Sequence, residues 1–213
     1  MRTTELIDRL AADLEPRRPG AALRRLAAGG AIGVGVAALA ILAWLGTPLG
    51  EIGRTGIPAF TMKLLFGVAM SGIATVLLFM SGRPGQRIGR RLLWLLLPPL
   101  VVASRAVMEL ASLSADMRIT AFFGSTWLTC LVAISAIAVP VYLGIVWGLG
   151  RLAPTSLRLT GLLAGVAAGS IAAVLYALYC PETTAMFLIS WYGLAILAAG
   201  LAGAIAGPRL LRW

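Results

Sequence analysis

The chain of 213 residues contains no histidine. That absence removes imidazole acid–base catalysis and most mixed nitrogen–sulfur metal sites. Charge is scarce as well. Only 12% of residues are charged, about half of the roughly 25% found in soluble domains. Helices of a soluble protein need polar outer faces, and too few polar side chains exist here to build them. Cysteine is reduced to two residues, Cys130 and Cys180, with no C-x-x-C pair. A membrane thiol oxidoreductase is disfavoured on that ground, and nothing in the sequence suggests a quinone or flavin site. The glycine-rich run "GGAIGVG" at 29–35 lies inside an apolar stretch with no strand before it, which excludes a phosphate loop.

What the chain has in abundance is hydrophobic residues, 60% of the total. They fall into runs of about 20 residues, the length that crosses a bilayer core of about 30 Å as a helix. Spans are predicted at 26–46, 59–80, 92–112, 124–148, 157–179 and 185–206, separated by Gly- and Pro-containing breaks such as "SGRPGQRIGRR" and "CPETT". The predicted fold is therefore all-α: a polytopic six-helix bundle over 26–213, preceded by a short cytoplasmic segment over 1–25. The first span is expected to be retained, because its polar lead-in carries acids and no clean small-x-small cleavage site follows.

Basic residues set the orientation. Six arginines precede the first span, four lie in the second loop, two in the fourth and two at the C-terminus, fourteen on one side. The opposite loops are assigned only Arg54, Lys63 and Arg118. Both termini are thus expected in the cytoplasm. The net charge of +10 is spread over these flanks and not gathered in one patch, so direct nucleic-acid binding is not expected. Gly161, Gly165 and Gly169, and Gly203 with Gly207, recur at four-residue spacing, the pattern of close helix packing in lipid.

Four features carry candidate chemistry. Arg105 and Glu109 share a face of the third span. They lie about 20 and about 26 Å in from Leu92 at 1.5 Å per residue, as a charge pair closing the outer end of the bundle or, in a transporter or channel, lining a pathway. Few other polar groups exist to line such a pathway, and no duplication into halves is apparent. Cys180 lies about 35 Å along the fifth span, at the outer surface, and Cys130 about two turns below the outer interface on the fourth. At similar depth the two thiols suit a disulfide, a shared soft metal ion, or simple apolar packing; their chemistry alone leaves the three open. Pro181 stops the helix after Cys180, with Glu182 beside it and Thr183 or Thr184 able to cap span six. In "TTELIDRLAADLEP", Leu6, Ile7, Leu10 and Leu14 form an apolar stripe, with Asp8 and Arg9 on the other face. A helix of about three turns is unstable alone. Its acidic polar face disfavours an anionic lipid surface, so a protein groove is the expected partner.

These residues resemble the NrsF-type membrane anti-sigma factors, negative regulators of an extracytoplasmic-function sigma factor in proteobacteria. The resemblance rests on "ELIDRLAADLEP", six spans, a cysteine in the fourth, "CPET" after the fifth and the C-terminal "GPRLLRW", and it covers essentially the whole chain. It implies a non-enzymatic regulator in the bacterial inner membrane whose N-terminal segment holds the sigma factor. It also implies that Cys130 and Cys180 sense the stress that releases it, an oxidant or a heavy metal bound by the thiols, with no resident cofactor. A histidine often precedes the second cysteine in that family; Tyr179 stands there in this chain. Thiol chemistry remains, with Glu182 as an oxygen ligand or electrostatic neighbour.

Overall fold

The computed structural model describes residues 3, 5, 20–47, 56–82, 88–150, 154 and 156–211. The stripe and polar face of the N-terminal segment (Leu6, Ile7, Asp8, Arg9, Leu10 and Leu14) lie outside the described residues. Among those described, every regular element is helical. Helix α1 runs over Ala21–Leu45, α2 over Ile57–Ser81, and a 3-10 turn over Gly89–Leu96 leads into α3, Leu97–Ser112. A short helix α4, Ala115–Phe123, precedes α5, Trp127–Leu149. Helix α6 covers Leu157–Ala177, and α7 covers Ala185–Leu210 with a π-helical turn at Leu188–Tyr192.

Among the described residues, six helical segments are long and apolar enough to cross a membrane, so this is a multi-pass membrane protein. Large apolar side chains such as Ile32, Leu39, Leu65, Val101, Leu143 and Ile205 point outward. In water such a surface would drive association; against acyl chains it is the solvated surface. Helix α4 is an element that the sequence pattern did not show. Its residues include Asp116 and Arg118 and lie where a loop was expected, and a turn at Gly124 sets them off as a separate helix.

Helix α6 is the buried centre of the bundle and packs on α2, α5 and α7. Its glycine face explains the closeness. A Cβ on Gly161 would collide with Gly203 O and lie 2.9 Å from Gly207 Cα, and one on Gly165 would lie 2.9 Å from Gly200 Cα. Backbones this close gain dispersion contacts that hydrophobic burial cannot supply inside lipid.

Helix α1 is held differently, almost entirely by α5. A Cβ on Gly29 would collide with Gly144 O, one on Gly33 would lie 2.7 Å from Pro140 O, and one on Gly148 would lie 2.8 Å from Leu26 Cα. The run "GGAIGVG" is therefore a packing surface. At the same end, the Arg25 guanidinium stacks over Trp147 at 4.8 Å, a cation–π contact. Alternation of the helices gathers Arg24, Arg25, Arg90, Arg91, Arg158 and Arg209 at this end of the bundle. The opposite end holds the two cysteines.

Candidate functional site

Cys130 lies in the first turn of α5, where its N–H donates to Thr126 O at 2.8 Å. Cys180 lies in the connection between α6 and α7, where its N–H donates to Tyr176 O at 3.2 Å as the helix ends. Pro181 then prevents continuation. Fifty residues apart in sequence, the two sulfurs stand 3.6 Å from each other as free thiols. Both are completely enclosed, with 0% exposure. Cys180 is thus not at a surface, as its place along the span suggested, because α2, α5 and α7 close over the connection.

Glu182 ties this connection to α5. Its Oε1 accepts hydrogen bonds from Ser125 N–H at 2.7 Å, Ser125 Oγ at 2.8 Å and Thr126 Oγ1 at 3.1 Å. The preceding Gly124 sits at φ +56°, and a Cβ there would lie 2.6 Å from the Glu182 carboxylate, so glycine is required twice over. Thr126 Oγ1 also lies 3.5 Å from Cys130 Sγ.

The two tyrosines and the lysine around the sulfurs were not found from sequence. Tyr176 Oη lies 3.7 Å from Cys130 Sγ. Tyr192, placed by the π turn, packs its ring 6.3 Å from that of Tyr176. Its buried hydroxyl faces Cys180 and has no other polar partner. Lys63 is the only lysine in the chain, beside seventeen arginines. It is not a loop residue: it sits in the second turn of α2, 3% exposed, and its ammonium donates to Cys180 O at 2.7 Å. A lysine inside an apolar run of an otherwise arginine-only chain was the available signal. The hydrogen bond with Cys130, followed by the positive charge of Lys63, pulls the Cys180 thiol below the ordinary thiol range despite its burial.

Arg105 and Glu109 both line an outer cavity of about 580 Å³, together with Thr183 and Ala185. Glu109 Oε2 accepts the Ala185 N–H at 2.8 Å, at the start of α7. A carboxylate there satisfies an otherwise orphan helix N–H and complements the helix dipole. Thr184 caps the same helix, accepting Phe187 N–H at 3.3 Å while donating to Ala121 O at 2.9 Å. Tyr179 Oη donates to Gly46 O at 3.0 Å, at the end of α1. Among the described residues no group of three His, Cys, Asp or Glu side chains is placed to hold a metal ion. What the arrangement can do chemically is two-electron thiol–disulfide exchange, since one thiol is biased toward thiolate and the other is within reach.

Fold and site together define a six-span helical membrane protein with a dithiol enclosed at one end of its bundle. Comparison with known proteins is specific: the family model described as NrsF, negative regulator of sigma F, matches residues 10–213, and the chain belongs to that family. It is 33% identical over 213 residues to the probable anti-sigma-F factor NrsF of Azospira oryzae, covering all of both chains. It is 36% identical over 219 residues to the anti-sigma-F factor NrsF of Caulobacter vibrioides, again covering all of both. No solved structure matches.

Proposed function

We propose that this protein is a membrane-bound anti-sigma factor, a regulator and not an enzyme. Its N-terminal segment sequesters an extracytoplasmic-function sigma factor, and oxidation of the Cys130–Cys180 dithiol releases it. The anti-sigma role is supported by family membership and by full-length relatives bearing that name. The observation that carries the redox reading is the 3.6 Å sulfur–sulfur contact between residues of two separate elements. Fourteen arginines on one side support the inner membrane with both termini cytoplasmic, which leaves the dithiol on the periplasmic side, where disulfides persist.

A route from thiols to partner follows from packing. Forming a bond of about 2 Å from sulfurs 3.6 Å apart draws the start of α5 and the α6–α7 connection together. Two electrons leave the pair for the oxidant, together with whatever protons the two sulfurs carry. Helix α5 is the helix that carries α1 at its other end, through Gly29, Gly33, Gly144 and Gly148. In the sequence, the N-terminal segment directly precedes α1. Displacement of α5 releases the partner only if the bundle has two arrangements of different affinity for it.

The test is induction of sigma-dependent transcription by an oxidant in cells carrying Cys130→Ser, Cys180→Ser or both. Each variant should repress normally and fail to respond, and the double variant should match either single one because the pair acts as a unit. Normal induction in the double variant overturns the reading.

A further inference from the structure

Lys63 poses a problem of charge. A buried ammonium requires a counter-charge or its burial is costly. Its one hydrogen bond is to the Cys180 carbonyl, and it forms no ion pair with a carboxylate among the described residues. Glu109 is engaged by Ala185 N–H, and Glu182, which accepts hydrogen bonds from Ser125 and Thr126, acts on the ammonium only by its field and less than the two sulfurs do. The groups that can place negative charge near the ammonium are, in order of effect, the sulfurs of Cys180 and Cys130 and then the Glu182 carboxylate. The Tyr192 hydroxyl is enclosed beside Cys180, with no polar partner other than that sulfur. A buried hydroxyl donor and a buried cation thus converge on the same residue, neither of them hydrogen-bonded to a carboxylate. Both deficits are relieved when that sulfur is anionic.

We propose that Lys63 is a positioning residue for the thiol reaction, supplying the fixed positive charge that stabilises a thiolate at Cys180 while its hydrogen bond holds the Cys180 backbone. The pair then rests as a thiolate–thiol contact, with Cys130 as the thiol and Tyr176 beside it. With a small disulfide oxidant, the Cys180 thiolate attacks one sulfur and expels a thiolate. The Cys130 sulfur displaces the second thiol from the mixed disulfide, and its proton passes to a released thiolate. The net result is one protein disulfide and two small thiols, one of which takes a proton from water. Because the charge favours the thiolate, it favours the reduced pair at equilibrium and also speeds its oxidation.

This assignment rests on the dithiol being the reactive site, but it is tested without reference to transcription. Purified full-length protein in lipid nanodiscs is equilibrated with 2-mercaptoethanol and hydroxyethyl disulfide, and the oxidised fraction is read by mass after alkylation. Lys63→Gln keeps a donor for the Cys180 carbonyl and removes the charge. In this variant, oxidation at pH 7 should slow at least tenfold, and the pH giving half-maximal rate should rise. The equilibrium should shift at least tenfold toward the disulfide, about 30 mV for a two-electron couple. Lys63→Met should behave alike, and Lys63→Arg should restore most of both quantities. A purely packing role predicts the opposite equilibrium shift, toward the dithiol, because misplaced sulfurs pair less well. That result, or an unchanged equilibrium in Lys63→Gln, overturns the proposal. If the cysteine variants respond normally in cells while Lys63→Gln shifts the equilibrium as stated, the sensor reading falls and this one stands.

Discussion

Glu182→Ala measures how far the sulfur–sulfur contact depends on the tie between the α6–α7 connection and α5. The carboxylate accepts three hydrogen bonds, two from Ser125 and one from Thr126. Each bond to a charged group contributes about 1.5–3 kcal/mol where it is well shielded. Ser125 is exposed and Glu182 half-buried, so screening reduces the set to about 2 kcal/mol in all. The helices themselves are held by glycine contacts that Glu182 does not touch, so the loss falls on the connection and not on the bundle. At about 1.4 kcal/mol per factor of ten, the effective concentration of one thiol at the other should drop about thirtyfold. The 2-mercaptoethanol equilibrium reads this directly: Glu182→Ala should move it about thirtyfold toward the dithiol, the direction opposite to Lys63→Gln. Glu182→Gln, which keeps a neutral acceptor, should fall between. An equilibrium unchanged in Glu182→Ala refutes the tie, and a collapse of thermal stability instead would show that the carboxylate holds the bundle.

Two further outcomes test the transmission route. Replacing Leu10 and Leu14 by Asp puts charge where an apolar stripe should dock; each buried leucine contributes roughly 1.5–3 kcal/mol, so co-purification of the sigma factor should be lost while membrane insertion persists, and retained binding would remove the stripe from the interface. Gly29→Val drives a side chain into Gly144 O of α5, an overpacking cost of about 1–3 kcal/mol, and should give constitutive sigma-dependent transcription, whereas Gly30→Val, which meets nothing within 4 Å, should repress normally; equal behaviour of the two variants would separate α1 packing from signalling.

Much of this molecule was legible in its composition. The number of spans and the all-helical class follow from apolar run length, because an unsatisfied backbone in lipid permits little else. The close α6–α7 packing was legible at Gly161, Gly165 and Gly203, since small residues at four-residue spacing have one main use in a membrane helix. The thiols were legible as a pair only in depth. Rise per residue locates a side chain along the membrane normal but says nothing of its neighbours in the membrane plane, so Cys130 and Cys180 were at similar depth but not yet in contact. Lys63 was misplaced for a related reason: a basic residue near a span end reads as flanking charge, and only the packing of α2 beside the α6–α7 connection turns it toward Cys180 O. Likewise "GGAIGVG" gave no hint of its partner, because Gly144 and Gly148 lie more than a hundred residues away. Sequence by itself determined which segments are long and apolar enough to cross the bilayer, a matter of local hydrophobicity. Lateral helix packing decided which residues share the enclosed site, because that depends on contacts between distant segments that no local pattern encodes.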